Sequence, residues 1–410
     1  MTNTFARLGL ATTTIFAAAA LVACGGGGGS SPSPAPAPAP TMGTLSASLT
    51  DAPACGFDAV NITVAKVRVH TSAGASDTDS GWTDITLSPA RKINLLNLTN
   101  GTLDVLGSTS LAAGHYNQVR LVLDANTGTA MANTVVPTGT TTEQSLDTPS
   151  AVSSGLKLAG EFDVVAGQKT DLVIDFDACK SVLTKGNGKY ALKPVVKLIP
   201  AVLNGITGVI APALLTSKVM VSAQQNGIVI ASTVPNATTG EFSLARLPAG
   251  NYEVVITAEG RAASVIGAVP VASATSTVAV STSAAPITLA ASVTGSITGS
   301  VKLTPASATE AAYVAAKQSF TAGPTVTIKY AGADLATGAY TLASLPLTAP
   351  SYAAYSATLP LVFAPAATLT SGIGKYNVSA SATGYTSKAV ATPVDINASN
   401  AINVNIDLAP

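Results

Sequence analysis

Three carboxylates, Asp51, Asp175 and Asp177, each stand within four residues of Cys55 or Cys179. A bridge between those two thiols would gather the acids, and oxygen ligands of that kind suit calcium. Aspartates beside turns also accept backbone N–H groups, which is their commoner work. Acids such as Asp51 or Asp175 are equally what glycoside or peptide hydrolysis would have to use. The imidazoles are few: His70 and His115 are all there are. Each sits at a strand end among residues typical of exposed faces, which suits a solvated or locally hydrogen-bonded ring better than a catalytic dyad. Ser154-Gly155-Leu156-Lys157 has Ser-x-x-Lys spacing but enters a strand rather than a helix. Nucleophile elbows, zinc helices, phosphate loops and dinucleotide fingerprints are missing from the sequence. The chain is therefore expected not to be an enzyme, and to carry no cofactor beyond calcium at those acids.

The elements that must position these residues read as strands. Of 410 residues, 47% are hydrophobic, only 10% are charged, and the formal net charge is zero. Ala, Val, Leu and Ile spread among Thr, Ser and Gly suit sheets. Without a basic excess there is nothing to neutralise phosphates, so nucleic acid is excluded as a partner. Leu45 to Leu49 alternates, and Val60, Ile62 and Val64 alternate before Val67 and Val69 resume out of phase, which predicts a β-bulge around Ala65-Lys66. Further strands are expected at Gln118 to Leu123, Leu156 to Val165, Asp171 to Phe176 and Ala191 to Ile199. Arg91 to Leu98 and Thr102 to Leu106 are expected to be short turns.

The first residues have a secretory layout: Arg7, an apolar run from Leu8 to Val22, and small residues before a cleavage point. Leu21-Val22-Ala23-Cys24 resembles a bacterial lipobox, which implies a leader of residues 1–23 and acylation of Cys24. Several acyl chains, each methylene contributing about 0.8 kcal/mol, give permanent attachment. Gly25 to Ser31 and the Pro-Ala repeat to Pro40 then read as a tether over 24–42, whose proline part extends about 3.1 Å per residue. Gly25 after the acylated residue favours the outer membrane by analogy. With Cys24 acylated, Cys55 and Cys179 remain as a pair in an oxidising compartment, where a disulfide is the default.

Leu49-Thr50-Asp51-Ala52-Pro53-Ala54-Cys55, Gly114-His115-Tyr116 before Val119-Arg120-Leu121, and Asp175 to Cys179 before Gly188 to Pro194 resemble the lipoprotein domain of unknown function 4382. That resemblance implies a β fold at the envelope and no activity.

After residue 204 the sequence repeats. Thr239-Gly240-Glu241-Phe242-Ser243-Leu244 with Leu247-Pro248 recurs as Thr337-Gly338-Ala339-Tyr340-Thr341-Leu342 with Leu345-Pro346. Tyr252 to Gly260 and Tyr376 to Gly384 are both eight apart. The order of strands and turns resembles carboxypeptidase-regulatory-like and collagen-adhesin-B-type modules, prealbumin-like sandwiches whose fold starch-binding-like domains share. By that resemblance Tyr252 and Tyr376 are structural tyrosines at a sheet corner. The second copy carries 26 extra residues between Pro346 and Tyr376, with Tyr352, Tyr355 and Phe363. Aromatics on loops grip sugars or proteins, which makes these three the expected ligand contacts; the alternative is an extended hairpin covering its own rings. Pro305 to Pro324 is read as a second addition with a short helix.

The expected organisation is all-β: a sandwich-like domain over 43–203, then prealbumin-like modules over 204–292 and 293–410. The expected function is a lipid-anchored envelope protein, periplasmic or surface-facing, that binds or spaces an envelope polymer, a glycan or a protein without catalysis. A purely structural lipoprotein and a carboxylate-based cell-wall hydrolase are the alternatives.

Overall fold

A computed structural model describes residues 41–52, 56–128, 130–199, 204–273, 275–364 and 368–410. Cys24, the leader, the tether as far as residue 40 and Cys55 lie outside the described residues, and Met42, expected as the end of the tether, already belongs to the first strand, Met42–Ala52. The fold is all-β, and among the described residues the helical elements are short turns such as Pro149–Ser153 and Ala178–Ser181.

In the first region one sheet runs in the order Val196–Ile199, Lys169–Asp177, Met42–Ala52, Asp104–Ala112. Its central pair, Met42–Ala52 and Lys169–Asp177, is parallel. The facing sheet is organised by the long strand Phe57–His70, which pairs Thr83–Asn94 along one edge and both Gln118–Leu123 and Thr134–Pro137 along the other. One strand serves two partners on that edge because its register shifts between Val64 and Lys66, at the bulge the valine phase predicts. Leu45, Leu49, Ile62, Val64, Leu121 and Ile174 close the core between the sheets, all fully buried. Several local expectations are corrected. Arg91 to Asn94 and Asp104 to Leu106 are strand, not turn, and only Leu95–Leu98 is a 3-10 turn. Leu156 to Val165 divides into Leu156–Leu158 and Phe162–Val164, which join different sheets. These departures share one cause: short apolar spacing was too brief to fix a period, and pairing across the sheet decided the state.

The two repeats have the same topology. In the first, a sheet of Glu241–Ala245, Gly205–Val209 and Thr277–Ala279 packs on one of Ile228–Thr233, Met220–Gln225, Gly250–Thr257 and Ser264–Val271. In the second, Ala339–Pro346, Thr294–Leu303 and Ile406–Leu408 pack on Thr325–Gly332, Tyr313–Ser319, Lys375–Ser381 and Lys388–Ala389. The repeated Thr-Gly is a closed turn with a defined chemistry. Asn236 Oδ1 accepts from Thr238 N and Thr239 N, as Asp334 Oδ1 does from Ala336 N and Thr337 N. Gly240 and Gly338 follow at φ +74° and +69°, where a Cβ would lie 2.2 Å from the carbonyl oxygens of Ile210 and Val301. Only glycine fits there. The segment expected as a helix within Pro305–Pro324 is instead the strand Tyr313–Ser319, central to its sheet.

The 26-residue addition is a link between the repeats. Its strand Ser351–Ala354 pairs in parallel with Ser264–Val271 of the first repeat, making a fifth strand of that repeat's sheet. Ser351 N donates to Ala263 O at 2.9 Å and Tyr355 N to Gly267 O at 2.9 Å. Apolar packing is exchanged as well. Val255, Ala263 and Val265 of the first repeat are buried in the second repeat's core, while Tyr355, Leu361 and Phe363 pack against the first repeat's core.

Candidate functional site

The acids singled out by the sequence meet at a cleft between the first region and the first repeat. The cavity is about 460 Å³, and Asp51, Asp175, Asp177, Lys180, Lys197 and Arg246 line it. The parallel register sets Thr50 beside Asp175 and Ala52 beside Asp177, so those two acids alternate outward on one face. Asp51 is partnered with Phe176 and therefore belongs to the opposite, buried face.

Each carboxylate already has a structural task. Asp51 Oδ1 accepts from Ala178 N at 3.0 Å. Asp177 caps the turn Ala178–Ser181 by accepting from Lys180 N at 3.0 Å, and pairs with Lys180 Nζ at 2.9 Å. Asp175 pairs with Lys197 Nζ at 3.3 Å. Burial raises the Asp175 pKa above the ordinary carboxylate range, and Lys197 pulls it back. Among the described residues no three carboxylates, imidazoles or thiols assemble as a metal-holding group. Cys179 is disulfide-bonded, and it follows the strand that runs parallel to the one preceding Cys55.

The histidines lie apart from that cleft. His70 is buried; its Nδ1 accepts from Ser72 N at 2.8 Å, which leaves Nε2–H to donate to Ser80 O at 3.0 Å. His115 is exposed, with Nδ1 2.7 Å from Asp163 and Nε2 3.4 Å from Glu161. The Asp163 hydrogen bond, opposed by desolvation and helped by Glu161, raises its pKa. Ser154 precedes the strand Leu156–Leu158, and its carbonyl accepts from Arg120.

The aromatics of the addition are part of the packing. Tyr352 lies on Phe320, with ring centroids 5.2 Å apart, and fills the space over Gly267, where a Cβ would meet its hydroxyl at 2.2 Å. Tyr355 and Phe363 rest against the first repeat's core. The single tryptophan, Trp82, is held between Arg68 and Arg120, each 4.8 Å from its ring centre. Tyr252 and Tyr376 are fully buried and donate to Pro248 O and Pro346 O at 2.7 and 2.6 Å. A third Gly-x-Tyr behaves alike in the first region, where Tyr116 donates to Ala112 O at 3.0 Å. That equivalence was open to sequence comparison through Gly114-His115-Tyr116.

Sequence reasoning missed Arg246. It occupies the left-handed region at φ +58°, as Ser344 does at the matching position of the second repeat. Its guanidinium is buried and reaches Gly101 O at 3.1 Å, while Nε has no hydrogen-bond partner. Burial lowers its pKa, and the nearby Asp175 carboxylate works against that. The one signal for it in the sequence was its place just before the repeated Leu-Pro.

Residues 42–194 match the model of the domain of unknown function (DUF4382). No curated protein matches the chain. Among solved structures, the TIE protein of Bacillus anthracis is similar at 10% identity and TM-score 0.17 over 90% of this chain. The chain spans 50% of that protein's length. The major pilin SpaA of Corynebacterium diphtheriae is similar at 14% identity and TM-score 0.18, covering 90% of this chain and 100% of the pilin. The major pilin subunit BcpA of Bacillus cereus is similar at 13% identity and TM-score 0.16, covering 90% and 99%. At such scores the likeness does not extend to the overall arrangement. None of these comparisons indicates a catalytic family.

Proposed function

We propose that this is a lipid-anchored protein of the bacterial cell envelope, outer membrane by preference, whose β domains act without catalysis as a binding or spacing body toward an envelope polymer. Cys24 is the acylated residue in this reading, and Cys55 is the partner of Cys179. The observation that carries it is the interlock of the domains. A strand of the second repeat completes the first repeat's sheet, and hydrogen bonds join each repeat to the first region: Asn100 with Thr233, and Gly186 with Asp334. The acids and imidazoles singled out by the sequence are instead partnered within the first region. A body of that kind presents a surface in fixed geometry, which is what spacing or capture at a membrane requires. Calcium is not part of this reading, since Lys180 and Lys197 already pair with Asp177 and Asp175, and Asp51 accepts from Ala178 N.

Two measurements test it. Growth with a labelled fatty acid should mark the wild-type protein and leave Cys24→Ser unmarked and released from the membrane fraction; a labelled Cys24→Ser variant would refute the anchor. Sedimentation of the purified chain with isolated cell-wall sacculi and outer-membrane polysaccharide should show saturable retention with no release of soluble sugars or peptides. Released fragments, lost in Asp51→Asn or Asp175→Asn, would instead make the protein a hydrolase.

A further inference from the structure

A second cavity, also about 460 Å³, opens where all three domains meet. The first region contributes Phe57 and Asp58, the first repeat Val219, Met220, Glu259 and Arg261, and the second repeat Ile328, Lys329 and Pro346. Clefts of this size at domain junctions, apolar with a few placed charges, are where small ligands bind. The charges here are unequal. Lys218 and Glu259 satisfy each other at 3.1 Å. Among the described residues, Lys329 and Arg261 have no carboxylate within ion-pair distance, although both border the cavity. The remaining acid of the lining, Asp58, accepts from Gly139 N at 3.3 Å. Two cations without an ion-pair partner, one from each repeat, therefore line the same cavity as Phe57, Val219, Met220 and Ile328. Desolvation lowers the pKa of Lys329, the Glu259 carboxylate works against that without pairing with it, and an arriving anion would offset the rest.

We propose that this junction cavity binds a small amphiphilic carboxylate, with its head group paired to Lys329 and Arg261 and its apolar body against Phe57, Val219, Met220 and Ile328. A neutral chain of the same length meets the same wall but leaves both cations unpaired. A multiply charged, wholly polar anion satisfies the cations and wastes the wall. Because the lining comes from three domains, the bound molecule would also brace the junction. The inference is independent of the anchor and of any polymer.

Calorimetric titration of the purified full chain with octanoate and with octan-1-ol tests it. One octanoate per chain is expected, with octanol at least about tenfold weaker. Lys329→Met and Arg261→Gln should each weaken octanoate by about tenfold or more, and Lys329→Arg should retain it within about threefold. Circular dichroism and thermal unfolding establish that each variant folds. Should Lys329→Met not fold, Arg261→Gln at the half-exposed cavity wall carries the comparison alone. Equal binding of octanol, undiminished octanoate binding in folded variants, or no saturable binding of octanoate would overturn the proposal.

Discussion

Asp175 shows how a residue can look chemical in the sequence and be structural in the fold. The sequence places it near Cys179 and Asp177, but only the parallel register puts Asp175 and Asp177 on one face and Asp51 on the other. Lys197 arrives from Val196–Ile199, a strand separate from Tyr190–Leu192 where the sequence alone predicts one continuous strand over Ala191 to Ile199. Its protonation has a definite sign. Burial raises the folded pKa, so the folded chain holds this proton more tightly than the unfolded chain. The stabilisation is complete below the ordinary carboxylate range and is lost as pH rises through the raised value. Asp175→Asn should therefore gain on the wild type as pH is taken from about 4 to 7, measured by denaturant unfolding at each pH. A constant difference would show that the carboxylate is not strained by burial. Tyr376→Phe leaves the buried Pro346 carbonyl without its donor and should cost about 1–2 kcal/mol in the same measurement, whereas Tyr252→Phe, whose acceptor sits on the exposed Pro248, should cost less, about 0.5–1 kcal/mol.

Among the elements, the Thr-Gly turns were legible because their chemistry is local. Asn236 or Asp334 accepts from the next turn's N–H groups and a left-handed glycine follows, all within five residues. Gly338→Ala puts a Cβ against the Val301 carbonyl at a positive φ, and a loss of about 2 kcal/mol or more is expected on chemical unfolding. The strand Ser351–Ala354 was not legible. Its length and aromatics were visible, but its partner, Ser264–Val271, lies in another repeat, and nothing local announces a pairing across 87 residues. An exposed insertion and an edge-capping strand have the same composition. Ser351→Pro removes the donor to Ala263 O and should cost about 1–3 kcal/mol while unprotecting the 264–271 edge, read as faster amide exchange along that strand. Unchanged exchange would mean the added strand does not guard the edge.

For the molecule as a whole, composition was enough to give an all-β chain, and internal repetition was enough to give two like sandwiches. The seams between domains were beyond it, since they depend on single polar residues that look ordinary in sequence. Gln224 is the clearest case: its amide donates to Thr327 O and accepts from Thr327 N, both at 2.8 Å, closing a buried pair between the repeats. Lys193 with Glu310 does the same between the first region and the second repeat. If these seams make residues 42–408 one body, then the stiffness required of an envelope spacer follows from them. Differential scanning calorimetry of the full chain measures this most directly. One cooperative transition, with matching calorimetric and van't Hoff enthalpies, is the predicted result, broadening or dividing in Ser351→Pro. Separate transitions in the wild type, one for each domain, would contradict it.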